Sequence, residues 1–445
     1  MNYPPGPSNL LLGFDTIRGF GRDPLHYLTQ LSAKYDSDLI YYRLGPIDGY
    51  MVKTPQLVYE VLVKQAKKFQ KWYRQKEVFG KFDGDGLVNS DGDFWRRQRK
   101  LVQPAFHTQR LHRYADAMVT YTEQMIAAWQ GKTIQLPIQH TMSDLTRKIV
   151  TKTLFNADVS SESNLIGEII QVLQEMAFRE MRMPFSLPDW LPLPHKQRER
   201  DAIHTIDQII LRIIAERRQS GEDYGDLLSM LLMAKDDTGQ GMSDQQARDE
   251  AMTLFIAGHE TTATALAWTW YLIAGHPQVE ARLIAEIDAI GARPLTFADL
   301  PQLSYTLMVF KESMRLYPPT WMFPREVAED VEIGGYLLKK GALIHIPVYQ
   351  IHHDPRYFRE PTLFNPDRFA PECEDQIVPY SYFPFGGGPR VCIGNGFALM
   401  EAQLILATVL QKARLRLAPD QGAPELQPLI VLQPKGDLQM IVEPR

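Results

Sequence analysis

Between Ser243 and Pro277 lies the stretch that most constrains how this chain can fold. Ser243-Asp-Gln-Gln246 fits a capping box, with serine at the cap and glutamine three residues later. Apolar residues then continue to Gly275-His-Pro277, a glycine–proline stop signal. At 1.5 Å per residue the helix spans about 50 Å, enough to cross a whole domain. In its middle stands Ala257-Gly-His-Glu-Thr-Thr262. Gly258 weakens a helix by roughly 1 kcal/mol relative to alanine, and Thr261 and Thr262 can bond back to the preceding turn and bend it. By itself this reads as a kinked core helix. A carboxylate beside a threonine in an apolar helix is nevertheless costly unless it is used.

A second constraint is Phe385-Gly-Gly-Gly-Pro-Arg-Val-Cys-Ile-Gly394, just ahead of another long amphipathic stretch. The glycines permit turns closed to other residues and close approach to a flat cofactor. Backbone N–H groups in the loop and at the helix start can stabilise a thiolate on Cys392. Phe385 can shield the sulfur, and Arg390 supplies a cation for a cofactor carboxylate. Taken alone, Cys392 could be an inert buried thiol. Phe-x-x-Gly-x-Arg-x-Cys-x-Gly, however, resembles the haem-binding loop of the cytochrome P450 family.

The resemblance implies a mainly α fold with small β-sheets, a single domain over residues 1–445, and haem b (iron protoporphyrin IX) with Cys392 as axial thiolate. It extends to three further motifs. Ala257-Gly-His-Glu-Thr261 is similar to the family's oxygen-binding element; it implies that Thr261 hydrogen-bonds the activated dioxygen or its water and that Glu260 relays protons. His259 is expected to pack rather than ligate. Glu312-Ser-Met-Arg315, followed by Leu-Tyr-Pro-Pro319, resembles the Glu-x-x-Arg element, and Asn365-Pro-Asp-Arg-Phe369 supplies Arg368 for a charged triad. Trp95-Arg-Arg-Gln-Arg99 resembles the family's Trp-x-x-x-Arg helix. Trp95 and Arg99 would share a helical face toward a propionate, with Arg325, Arg390 and the loop ending at Gly394 completing the cofactor site.

Family position gives candidate pocket residues: Phe79 and Phe82 early in the chain, Ala257 on the central helix, and Leu429 to Val431 near the end. Thr320, Trp321, Met322 and Phe323 follow the Pro-Pro pair. Phe185 and Trp190 lie in Met183-Pro-Phe-Ser-Leu-Pro-Asp-Trp-Leu-Pro-Leu-Pro194, whose four prolines forbid a continuous helix. That segment reads as a connector or as an apolar lid. An apolar substrate of fatty-acid, terpenoid or polyketide type is implied. Lys71-Trp-Tyr-Arg74 reads as solvent-facing, with a role in greeting a substrate carboxylate as the alternative. Arg96, Arg97 and Lys100 read as a solvated basic face or as a docking patch for an acidic electron donor.

Composition narrows the remaining classes. A hydrophobic content of 44% allows a large core, and length alone would suggest two or three domains. A net charge of −5 gives no support for nucleic-acid binding. Two cysteines cannot build an all-cysteine iron–sulfur site or a disulfide framework; Cys373, in a polar run, reads as a bystander. No membrane span is visible, and Leu10-Leu11-Leu12 is too short to be one. A soluble, cytoplasmic, bacterial-type protein is expected. Too few residues follow Gly394 for a fused reductase, so an external ferredoxin or flavodoxin is implied, with dioxygen as co-substrate. Two rivals stand beside this monooxygenase reading: an oxidative coupling or dehydrating enzyme on the same fold, and a haem-binding sensor or carrier.

For the coarse order, the sequence predicts paired strands at Leu39–Leu44 and Tyr50–Lys53 and helical periodicity over 93–130, 140–180 and 196–218. Strands follow over 331–347, and a closing hairpin over 429–442 turns near Pro434-Lys-Gly436.

Overall fold

A computed structural model describes residues 2–7, 12–129, 134–156, 162–182 and 186–445. The central helix runs Asp244–Ala274, 31 residues, with both bonds of the capping box formed: Gln246 N donates to Ser243 Oγ at 3.2 Å, and Ser243 N donates to Gln246 Oε1 at 3.0 Å. Its side chains are buried for most of its length because other helices pack around it. Ile138–Phe155 lies along one side and Ser304–Leu316 along another, with Asn395–Leu410 behind. A helix this apolar all round is stable only inside such a bundle. Fully buried Trp268 and Trp270 mark the core at its C-terminal half.

The sheets are peripheral. A five-stranded mixed sheet runs in the order Leu39–Leu44, Ile47–Val52, Leu343–Ile346, Phe323–Val327, Phe69–Gln70. Its pairs are antiparallel except that of Ile47–Val52 with Leu343–Ile346. Tyr41 sits opposite Tyr50, so the first hairpin turns at Gly45 and Pro46, and its second strand starts three residues before the expected Tyr50. The strands Val331–Ile333, Tyr336–Leu338 and Leu343–Ile346 match the expected breaks at the two glycine turns.

Three expectations are corrected. The helical run over 140–180 is two helices: Ile138–Phe155 stops at Asn156, whose φ is +47°, and Glu162–Arg182 follows. The helical run over 93–130 is broken: Gly92–Val102 ends in a 3-10 turn at Gln103–Phe106, where Pro104 cannot continue the α ladder, and Thr108–Ala127 restarts. The hairpin over 429–442 does not form. Leu426–Pro428 pairs with Leu432–Pro434, turning at Leu429-Ile-Val431, whereas Gln439–Pro444 joins Ile134–Pro137 and Ala413–Leu417 in a separate sheet. No described helix is long and apolar enough to cross a membrane.

Candidate active site

The cysteine loop is fixed by close backbone packing. Cys392 N donates to Phe385 O at 2.9 Å, closing the turn. Gly388 has φ +64°, and a Cβ there would fall 1.9 Å from Leu62 O, so only glycine fits. Phe385 packs on the main core, and Gly394 caps Asn395–Leu410. The Cys392 sulfur is accessible, yet burial pushes its thiol up, against the pull of the Gly394 N–H and Arg99. The sulfur therefore faces a recess enclosed by protein. Cys373 is exposed and apart from this loop.

Above the loop the central helix changes character. Ala257 is exposed, and Gly258, Glu260 and Thr261 are half-buried, in a helix otherwise buried on both sides of them. Thr261 Oγ1 donates back to Ala257 O at 2.9 Å. His259 points the other way: it is buried, its Nδ1 lies 3.0 Å from Phe255 O, and burial lowers its pKa to about 4. Glu260 accepts a 2.7 Å bond on Oε2 from Gln174 Nε2, and burial pushes its carboxyl up to about 7.

Does this recess suit a haem? Trp95 and Arg99 share one face of Gly92–Val102, and Arg390 stacks on the Trp95 ring at 4.3 Å. Arg325 is buried on the neighbouring strand; burial and then Arg390 lower its pKa to about 10. Lys71 joins them, held well below its usual range by burial and by Arg325 and Arg390. Against these cations stands Asp91, which binds Arg390 and, at 2.7 Å, Lys76. Among the described residues, Arg99 has no acidic partner and Arg325 donates only to Pro324 O. Crowded, under-neutralised cations beside an accessible cysteine require anions, and the two carboxylates of haem provide them. The donor set fits.

Beside Glu260 lies a small cavity lined by Phe79, Phe82, Gln174, Ile256 and Ile430, among others. Ile430 reaches it from the 429–431 turn, which is pinned by Trp321 Nε1 to Leu429 O (3.1 Å), Trp268 Nε1 to Leu432 O (2.7 Å) and Leu432 N to Pro319 O (2.9 Å). Val431 and Trp321 are buried in packing; Thr320, Met322 and Phe323 are half-buried. Trp190 is 77% exposed, at the outer surface. Phe185 lies outside the described residues.

Glu312, Arg315 and Arg368 come together: Arg315 makes two bonds to Glu312, and Arg368 Nε reaches Glu312 Oε1 at 3.3 Å. The solvent-facing reading of Lys71–Arg74 holds for Tyr73, which is exposed, and is corrected for Arg74. Arg74 is buried and engaged by Glu77 at 2.7 Å, Ser186 Oγ at 2.7 Å and Glu180 O at 2.6 Å, so it is not available to a substrate carboxylate. Arg96 and Lys100 are exposed, as a solvated face requires, while each of Arg96, Arg97 and Lys100 has an acidic neighbour, in Asp93, Asp236 and Asp237 respectively. Sequence reading missed Asp91 and Gln174. Each acts across a long separation, with no local pattern to announce it.

The chain matches Cytochrome P450 over residues 4–441. It is 40% identical to cyclooctatin synthase of Streptomyces melanosporofaciens over 430 residues, 95% of this chain and 92% of the relative. It is 37% identical to cyclooctat-9-en-7-ol 5-monooxygenase of the same organism, again over 95% and 92%. Its fold superposes on the crystal structure of the cytochrome P450DA heme domain with a TM-score of 0.90 at 26% identity, covering 99% of this chain and 97% of the other. With a cysteine loop, a cationic cradle and an interrupted central helix arranged as this family arranges them, the chain belongs to the cytochrome P450 family, a mainly helical haem enzyme fold with small sheets.

Proposed function

We propose that this protein inserts one atom of dioxygen into an apolar terpenoid, drawing electrons from a separate ferredoxin or flavodoxin. The observation that carries the substrate class is the aromatic and aliphatic cavity of Phe79, Phe82, Ile256 and Ile430 against Glu260. The terpene-oxidising Streptomyces relatives support the same reading.

When bound, haem would supply an iron centre that activates dioxygen, made more electron-rich by a thiolate ligand. Cys392 would hold the iron; burial favours its neutral thiol, and the Gly394 N–H and Arg99 pull the other way, toward the thiolate. Trp95, Arg99, Arg325 and Arg390 would hold the cofactor carboxylates. Phe79, Phe82 and Ile430 exclude water from the substrate side. Glu260, with a pKa near 7, can hold a proton on Oε1 while Gln174 occupies Oε2. A group poised at the working pH both takes and gives protons efficiently. The Thr261 hydroxyl, one residue on, can leave Ala257 O to pass that proton toward the reacting oxygen.

The test is turnover of a terpene under isotopically labelled dioxygen with a ferredoxin system. One labelled oxygen in the product is expected. A hydroxylated product without label, or a coupled or dehydrated product alone, sinks the assignment. So does the absence of the red-shifted Soret band from reduced, carbon-monoxide-treated holoprotein.

A further inference from the structure

Resting on that reading of the same cavity, we infer that the substrate is a hydrocarbon skeleton already bearing a hydroxyl group, anchored by Gln174 and Glu260. Among the described residues lining the cavity, these two alone carry polar side chains; the rest, including Phe79, Phe82, Ile256 and Ile430, are apolar. Gln174 Nε2 and Glu260 Oε2 satisfy one another at 2.7 Å. Gln174 Oε1 and Glu260 Oε1 make no other bond to described residues. They form a paired acceptor and acid beside an apolar space.

Three ligand chemistries can be compared there. A bare hydrocarbon would cover both oxygens with nothing to bond them, which is unfavourable for buried polar groups. A carboxylate would bring negative charge against Glu260, and no cation lines the cavity. The nearby cations are committed elsewhere: Arg74 to Glu77, Ser186 and Glu180, and Lys81 to Glu180 and Asp189. An alcohol donates its proton to Gln174 Oε1 and accepts one from the Glu260 acid. Burial pushes that carboxyl up to about 7, so the acid form is well populated at neutral pH. A site built to bond a hydroxyl discriminates strongly against the analogue lacking it.

Haem-loaded, full-length protein titrated with cedrol, α-cedrene and dodecanoic acid, read by the spin-state difference spectrum, tests this. Cedrol is expected to bind about tenfold more tightly than α-cedrene, and Gln174→Leu and Gln174→Asn should each bring that ratio close to one. The inference is overturned by equal affinities in the wild type, by a preference that survives both substitutions, by tighter binding of dodecanoic acid, or by no response to any of the three. Should neither variant retain haem, the wild-type ratio decides. The carbon monoxide spectrum of the same samples separates the two levels of failure. Loss of the thiolate band in wild type defeats the monooxygenase reading, while a normal band without alcohol preference defeats only the anchor.

Discussion

Arg315 closes on Glu312 across one helical turn through two parallel bonds, Nε to Oε2 at 2.7 Å and Nη2 to Oε1 at 2.8 Å, with neither side chain exposed. The same guanidinium donates to the carbonyls of His352 (2.9 Å), Pro361 (2.7 Å) and Leu363 (3.2 Å). Glu312 also accepts from Asn365 N at 3.0 Å. The pair thus ties its helix to the irregular chain leading toward the cysteine loop.

Removing one charge from this pair leaves the other buried and unmatched. Glu312→Gln is expected to cost about 3–5 kcal/mol, read as a lower denaturant midpoint, together with a reduced haem-to-protein ratio. A loss under about 1 kcal/mol would mean that solvent or backbone groups replace the carboxylate.

Thr261→Ala deletes the hydroxyl nearest the exposed Ala257 surface while leaving an excellent helix former. Product per electron pair consumed should fall about tenfold or more, with hydrogen peroxide rising in compensation. Unchanged coupling would remove Thr261 from the proton path.

Glu260 gives that path a pH signature. Its carboxyl is pushed up to about 7 by burial, so it is protonated below neutrality and ionised above. Coupling efficiency is expected to decline as pH rises past about 7, and Glu260→Gln should abolish that inflection while lowering the plateau. An identical inflection in the variant would assign it to another group.

Two more buried acids make stability itself pH-dependent. Burial pushes Glu250 up to about 8, with Asp83 and Asp249 reinforcing the effect, and Asp83 up to about 7. Each binds its proton more tightly when folded than when unfolded. Their stabilising contribution is therefore complete below the ordinary carboxylate range and is lost as pH rises through 7 and 8. Glu250→Gln should flatten that decline by roughly 2–4 kcal/mol, measured by denaturant unfolding at pH 5 and pH 9. An equal slope in the variant would refute the assignment.

What could be read from the sequence was what is encoded locally. The capping box of Ser243 and Gln246 and the Glu312–Arg315 pair lie within one helical turn, so spacing alone placed them. The terminal strand was misassigned because Pro434-Lys-Gly436 does turn the chain, but pairing is decided by distant partners such as Ile134–Pro137. Arg97 looked free because Asp236 lies 139 residues away. Gln174 has no signature at all, since its meaning comes from Glu260, 86 residues on and on another helix.

Glu180 receives Lys81 from Tyr73–Asp83 and Lys196 from Pro194–Ser220, and both lysines also reach Asp189. The helix of Phe79 and Phe82 and the helix of Gln174, which both line the cavity, are thereby joined through Glu180, and Lys196 ties a third helix to them. Glu180 and Lys196 are each only 2% exposed, so drawing these helices apart would leave opposite charges unmatched away from water, and the spacing across the substrate side is held by charge as well as by apolar contact.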